Sequence, residues 1–215
     1  EGTPAPVGAA TLGARYRSVR AATEDLCTPL ETEDFIVQSM PDASPTKWHL
    51  AHTTWYFETF VLSEIPGYRP FDPCYAYLFN SYYNSVGEQY PRPDRGMLTR
   101  PTVSEVFAYR RHVDLAMGEL LADSAERWGH RADVIELGLH HEQQHQELVL
   151  SDLKHAFSLN PLRPAYRPLQ EPASVESKPI HWHRHDEGLR WIGAAEGSFA
   201  FDNERPRHQT FLAPF

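Results

Sequence analysis

Two histidines stand four residues apart within a long helical pattern, at His141 and His145. Four residues correspond to roughly 400° of helical rotation, so both imidazoles leave the same face about one turn apart. Leu148, Asp152 and His155 continue the same stripe. Imidazoles on a face that packs into a helical core are costly unless a partner satisfies them. The spacing therefore predicts a core-facing helix and a metal ion shared by two of its histidines.

Three further segments have helical features. Together with the segment that carries His141 and His145, they predict a mainly α-helical four-helix bundle. The predicted helices span about residues 10–30, 44–64, 102–125 and 133–157. Ser44 is expected to be an N-cap with Pro45 in the first helical position, and Thr102 and Glu105 to form a capping box. Residues 68–101 are expected to be irregular and functional, because ordered loops of that length are uncommon.

The composition predicts a soluble, cytoplasmic protein. A net charge of −9 argues against nucleic acid or an anionic membrane surface as a partner. No apolar run approaches the roughly 20 residues that span a bilayer, and the first ten residues lack the features of a signal peptide. Cys27 and Cys74 are too few for a disulfide framework, so reduced thiols are expected.

A third metal ligand is expected from the second helix, which carries His49 and His52. His52 lies four residues after Trp48 and three before Trp55, so it shares their inward face. His49 lies roughly 90° away around the helix and is expected beside the ligands or at the surface. Three neutral imidazoles suit zinc, iron or copper and leave positions open for catalysis.

The same run also contains the His-Glu-x-x-His pattern of zinc peptidases, in which the glutamate is the general base. Here the expected third ligand lies upstream on another helix, and no extended peptidase motif follows, which disfavours that function. Glu142 is instead expected to face solvent or to orient a ligand.

Five segments occur together in this chain: Leu50–Trp55, Phe79–Asn84, Arg92–Gly96 followed by Arg100 and Pro101, Leu139–Leu148, and Asn160–Tyr166. In these segments and their order the chain resembles the ergothioneine-biosynthesis sulfoxide synthases, iron(II) enzymes with an N-terminal DinB-like helical bundle. The resemblance covers nearly the whole chain. It implies Fe(2+) as cofactor, with His52, His141 and His145 as its ligands.

The resemblance also implies a reaction and further site residues. In the family, O2 is used to join the thiol of cysteine or γ-glutamylcysteine to C2 of the imidazole of Nα-trimethylhistidine (hercynine), giving a sulfoxide. Tyr82 and Tyr83 match an active-site tyrosine pair, and a phenol there can donate a proton. Arg92 and Arg95 match arginines that bind the carboxylate of the thiol substrate. Packing of the tyrosines and a solvated loop for the arginines are the alternatives.

The tail from Gly197 to His208 resembles the opening of the family's second domain, which has an α+β, C-type-lectin-like fold shared with sulfatase-modifying factors. We therefore expect a bundle at residues 10–160, a linker at 161–189 and the beginning of this second domain at 190–215. The missing remainder of that domain is expected to be a partner of the bundle, because in the family it supplies much of the pocket for the histidine-derived substrate.

Three other functions stay open from the sequence. A selenium analogue would join a selenosugar to hercynine, a DinB-like thiol transferase would use zinc or another divalent metal, and a structural metal would only hold the bundle together. A structural site would be closed by a fourth protein ligand. The alternating histidines His181, His183 and His185 are expected to form a surface cluster, with a strand or a weak second metal site as alternatives.

Overall fold

The structure, a computed structural model, describes residues 9–122, 128–169, 179–197 and 199–215. By its contacts the described chain divides into two units, one that contains residues 9–169 and one that contains residues 179–215. The three-part division predicted at residues 160 and 189 stays a prediction.

The first unit is mainly helical, as predicted. Its α-helices are Ala9–Cys27 (α1), Thr46–Phe57 (α2), the short Tyr75–Leu78 (α3), Val103–Ala122 (α4) and Ala132–Leu159 (α5). The four long ones lie at the four predicted places, although residues 123–125 of the third prediction fall outside the described residues. No helix within the described ranges is both long and apolar enough to cross a bilayer.

The four long helices pack together as a bundle. Helices α1 and α2 each pack against both α4 and α5. Leu50, Phe57, Val113, Met117 and Leu139 are among the side chains that fill the space between the helices. This arrangement places α2 directly against α5, the helix that carries the paired histidines.

Helix α2 is buried along its whole length, from Thr46 to Phe57. Several of its polar side chains bond inside the protein: the Thr54 hydroxyl donates to the Leu50 carbonyl at 2.7 Å, and the Lys47 ammonium donates to the carbonyls of Leu98 and Pro101. A buried helix needs apolar or satisfied side chains on every face. Any histidine on α2 is therefore inside the protein and needs a partner.

The predicted N-cap of α2 is wrong. The helix begins at Thr46, and the N-cap is Pro45, whose extended backbone has φ −60° and ψ 145°. Ser44 lies one residue earlier, where its N–H donates to Asp152 Oδ2 at 2.9 Å and its hydroxyl accepts from Arg95 at 2.9 Å. These tertiary contacts replace the local cap that the sequence suggested.

The connection from α2 to α4 is irregular for most of its length, as predicted. A π-turn at Glu58–Leu62 extends α2, and the short α3 and a 3₁₀ turn at Arg92–Met97 interrupt the loop. The capping box at the start of α4 is confirmed, since the Glu105 N–H donates to Thr102 Oγ1 at 3.2 Å and the Thr102 N–H donates to Glu105 Oε2 at 2.7 Å.

The second unit contains an antiparallel pair of strands, Gly188–Ile192 (β1) and His208–Leu212 (β2). Its register pairs Arg190 with Thr210. Both strands fall almost wholly within residues 190–215, and the C-type-lectin-like fold expected there stays a prediction. The histidines at 181, 183 and 185 are exposed, as expected.

Candidate metal centre

Three histidines from two neighbouring helices meet inside the bundle. One ring nitrogen of each of His52 on α2 and His141 and His145 on α5 lies within 4.8 Å of the other two. The rings of His141 and His145 are 4.6 Å apart, because four residues bring both side chains to one face of α5. The structure therefore brings together all three residues predicted as ligands.

One hydrogen bond and two stacked tryptophans fix the orientation of the His52 ring. Its Nδ1 lies 2.6 Å from the Phe79 carbonyl oxygen, and since a carbonyl only accepts, Nδ1 carries the proton. The ring stacks on Trp48 at 4.6 Å and on Trp55 at 5.5 Å. This leaves Nε2 with a free electron pair that can bind a metal.

The ring of His141 lies directly against that of His52. Its Nε2 lies 3.1 Å from Nε2 of His52, while its buried Nδ1 has no hydrogen-bond partner. Without a metal, the Nε2 contact needs a proton on His141, which would leave an electron pair buried and unsatisfied at Nδ1. With a divalent cation between the rings, both Nε2 electron pairs would be bound and the His141 proton would lie on Nδ1, which has no partner in either case. The fit to a metal ion therefore rests on the convergence of the three ring nitrogens.

Burial keeps the three imidazoles neutral. It lowers the pKa of His52 well below the ordinary value, helped by the neighbouring His141, and lowers the pKa of His141 to about 4. Burial also lowers the pKa of His145 well below its usual range, together with the other two rings. Neutral imidazole is the form that binds metals, so the site is in its ligand form at pH 7.

His49 lies beside the ligands and not at the surface. It is 4% exposed, its Nδ1 lies 2.8 Å from Nδ1 of His145, and its Nε2 lies 3.1 Å from Asp152 Oδ2. Burial raises the pKa of the Asp152 carboxyl, but hydrogen bonds from His49 and from the Ser44 N–H lower it overall. The His49–Asp152 pair was not predicted, although Asp152 shares the sequence stripe of the ligands.

Glu142 has neither of its predicted roles. It is fully buried, and its carboxylate accepts from Arg20 at 3.0 Å, from Arg110 at 3.1 Å and from Thr23 at 2.7 Å. These ion pairs join α5 to α1 and α4 and hold the pKa of the Glu142 carboxyl down to about 2 against the effect of burial. A carboxylate held in this way is not available as the general base of a peptidase. Leu148, another member of the predicted core-facing stripe, is 43% exposed.

The two tyrosines take different positions. Tyr82 is 73% exposed, has a backbone φ of 63°, and its hydroxyl accepts from Arg92 Nη1 at 2.7 Å. A positive φ is unusual for a tyrosine and is often found at functional sites. Tyr83 packs on the rings of Trp55 and Phe60, at 5.6 Å and 5.0 Å. Trp55 thus contacts both Tyr83 and the ligand His52.

Of the two predicted arginines, Arg95 lies beside the cluster, and Arg92 bonds to Tyr82 and to the Asp42 carbonyl. Arg95 is buried, its guanidinium carbon lies 3.4 Å from the centroid of the Trp48 ring, and it donates to the hydroxyls of Ser44 and Ser81. Burial and the nearby Arg92 charge lower its pKa to about 10. Its charge also contributes to the lowered pKa of the ligands His52 and His145, so a positive field acts on the centre.

The comparisons with known proteins give a family match over the helical unit. The model of the DinB superfamily matches residues 15–149, from within α1 to within α5. This range includes all three clustered histidines. No curated protein matches the chain.

Proposed function

This chain belongs to the DinB superfamily, and from that membership we propose that it is a non-haem iron(II) enzyme that forms a carbon–sulfur bond with O2. Domains of this superfamily bind metals. The proposed substrates are Nα-trimethylhistidine and the thiol of cysteine or γ-glutamylcysteine, as the resemblance to the sulfoxide synthases implies. The proposed product is the sulfoxide that joins sulfur to C2 of the imidazole.

The open three-imidazole face carries this proposal. Among the residues that the structure describes, no fourth His, Cys, Asp or Glu joins the group of His52, His141 and His145. A structural metal in a bundle is usually closed by four protein ligands, whereas three leave positions for substrates. The geometry supports a catalytic centre over a structural one.

The positive side of the centre supports a carboxylate-bearing thiol as substrate. Within the described chain, Arg92 and Arg95 donate only to neutral hydroxyl and carbonyl oxygens, and the buried Nε of each has no hydrogen-bond partner. Guanidinium groups bind carboxylates in a two-pronged geometry. We propose that they hold the carboxylate of the thiol substrate and so direct its sulfur towards the histidines.

The proposed reaction balances with one molecule of O2. The S–H bond of the thiol and the C2–H bond of the imidazole break, and a C–S and an S–O bond form. O2 takes up the four electrons, with one oxygen atom ending in the sulfoxide and the other, with both protons, in water. Iron(II), which His52, His141 and His145 would hold, would supply the redox chemistry with O2. The protein supplies orientation through the arginines and a proton donor at the Tyr82 or Tyr83 hydroxyl.

The strand pair at residues 188–212 supports a proposal about the second domain of the proposed enzyme. We propose that it opens a domain of the sulfatase-modifying-factor type, with a C-type-lectin-like fold, which supplies the pocket for trimethylhistidine. An isolated hairpin of two strands is marginally stable at best in water, which favours a larger domain around it.

Anaerobic reconstitution of the full-length protein with iron(II) tests the function. We expect O2 consumption and sulfoxide formation only when the thiol and trimethylhistidine are both present. His52→Ala should abolish product, whereas His140→Asn, a change on α5 outside the cluster, should retain it.

Two other outcomes would replace the proposal. Thiol transfer without O2 uptake, supported by zinc, would make the chain a DinB-like thiol transferase, a function that needs only the helical unit matched by the family model. A product formed only with a selenosugar donor would make it the selenium analogue.

A further inference from the structure

We propose that Asp152 and His49 are positioning residues, which orient the ligand His145 through two consecutive hydrogen bonds and thereby strengthen metal binding. This inference rests on the metal centre of the proposed function and does not depend on the reaction catalysed there. It assigns a role to two side chains that lie outside the ligand set.

The three groups form a continuous line from α5 to α2 and back to α5. Asp152 Oδ2 lies 3.1 Å from His49 Nε2, and His49 Nδ1 lies 2.8 Å from His145 Nδ1. His49 and His145 are 4% and 9% exposed, so water competes little for either bond. Both distances are those of real hydrogen bonds, and burial strengthens them.

The chemistry of the groups fixes the direction of both bonds. A carboxylate only accepts, so the Nε2 of His49 carries the proton and donates to Asp152. The Nδ1 of neutral His49 then holds an electron pair and accepts the N–H at Nδ1 of His145. His145 is thereby held in the tautomer whose Nε2 has a free electron pair for a metal.

The carboxylate end of the line is itself fixed. The Ser44 N–H donates to the same Oδ2 of Asp152 at 2.9 Å, and the Ser44 hydroxyl accepts from Arg95. Asp152 therefore cannot rotate freely, and the segment before α2 holds it in place. This contact also explains why Ser44 is used for tertiary bonding instead of capping α2.

The three ligands differ in what supports them. His52 donates to a neutral backbone carbonyl, and His141 has no partner at Nδ1. Only His145, among the three, is backed by a negative charge, which reaches it through His49. A carboxylate behind a histidine increases the electron-donating strength of its metal-binding nitrogen. Loss of such a partner typically weakens metal binding about 10- to 100-fold.

Substitutions at His49 separate hydrogen bonding from packing. His49→Phe retains a ring of similar size but removes the acceptor for His145. His49→Asn places an amide oxygen close to the position of the lost Nδ1, so it can accept the same proton. Asp152→Asn removes the charge at the far end. His155→Phe is the matched control, because His155 lies one turn further along α5 and bonds to Ser39 at 2.8 Å.

The experiment is anaerobic titration with cobalt(II), followed by its visible absorption, in competition with a chelator of known affinity. We expect about 10- to 100-fold weaker binding in His49→Phe and Asp152→Asn, partial recovery in His49→Asn, and no change in His155→Phe. Far-UV circular dichroism should show the same helix content in every variant. A cobalt spectrum that changes in His49→Phe and returns towards the wild-type spectrum in His49→Asn would further support the hydrogen bond, since Asn restores the acceptor but not the ring.

The possible results separate this inference from the proposed function. Wild-type affinity in His49→Phe, with binding lost in His52→Ala, overturns the inference and leaves the metal centre standing. Absence of cobalt binding in the wild-type protein overturns both. Weakened binding in the variants of a protein that forms no sulfoxide supports the inference and rejects the function.

Discussion

The partner of each buried ring nitrogen determines what a histidine in this centre can bind. The ligands themselves follow from the sequence, because a spacing of four pairs His141 with His145 and two tryptophans flank His52. Their supporting partners do not, since His49 and Asp152 are 103 residues apart in the chain. Nothing local in the sequence shows that they meet.

Glu142 is a case in which the sequence pattern suggests a role that the structure does not support. Its position inside a His-Glu-x-x-His pattern suggests a catalytic role, yet both of its carboxylate oxygens are bound by arginines of α1 and α4. Only the packing of three helices reveals that it is structural. The sequence pattern alone does not separate a general base from a buried ion pair.

We expect Glu142→Gln to destabilise the fold by up to roughly 3–5 kcal/mol, because the buried Arg20 and Arg110 lose their shared buried counter-charge and keep only Asp114 and Glu24, which are more exposed. The free energy of unfolding in urea measures this loss. Glu147→Gln, an exposed change on the same helix, should alter it by less than about 0.5 kcal/mol. A Glu142→Gln protein of wild-type stability would contradict the structural role.

We expect Arg95→Met to lower kcat/KM for the thiol by about 10- to 100-fold, because a charged hydrogen bond contributes roughly 1.5–3 kcal/mol. Steady-state kinetics at varied thiol concentration give this value, and Arg95→Lys should lose less because the charge remains. Arg100→Met, an exposed change, is the control. An unchanged kcat/KM for the thiol in Arg95→Met would remove Arg95 from the substrate site.

At the scale of elements, the centre depends on how closely α2 and α5 approach. Gly138 lies on α5 one turn before His141, and a Cβ added there would be 2.6 Å from Cε1 of Tyr56 and 2.7 Å from Cε1 of Phe57. Tyr56 in turn contacts the ring of His141 at 5.1 Å between centroids. The missing side chain therefore allows the contact that brings His52 to the histidines of α5.

Gly138→Ala should push the two helices apart, destabilise the protein by about 1–3 kcal/mol and weaken cobalt(II) binding. Gly118→Ala on α4 is the control, because a Cβ there meets nothing within 4 Å. It should be neutral, or stabilising by about 0.5–1 kcal/mol. Equal stability and metal affinity in the two variants would show that the close approach at Gly138 does not matter.

The helices themselves were predictable, because periodicity, the Thr102–Glu105 capping box and the prolines after α5 are local features. The start of α2 was not, since the Ser44 hydroxyl accepts from Arg95 instead of capping the helix. The sequence also did not predict that α2 is buried along its whole length. Lys47 looks like a surface residue in the sequence, but the carbonyls of Leu98 and Pro101 satisfy its charge inside.

For the whole molecule, the buried neutral histidines make stability depend on pH. Their pKa values in the fold lie below the ordinary 6.5, well below for His52 and His145 and at about 4 for His141. The unfolded chain therefore binds more protons than the folded one between those values and pH 6.5. Stability is fully present above pH 6.5 and falls as pH drops towards 4.

We expect the metal-free protein to lose up to about 1.4 kcal/mol per pH unit for each of these histidines in that range. Urea unfolding at pH 7, 6 and 5 measures the slope. Replacement of all three by glutamine should reduce this slope and leave the contribution of His49, whose pKa burial also lowers. A stability independent of pH over this range would contradict neutral burial of the cluster.

Metal loading is the most direct test of the claim that His52, His141 and His145 form one centre. The protein is loaded anaerobically with iron(II), desalted, and examined by metal analysis and X-ray absorption. We predict about one iron per chain, with scattering from three imidazoles and from open positions filled by light atoms. Iron retained at the same ratio and with the same spectrum when all three histidines are replaced by alanine would contradict the account.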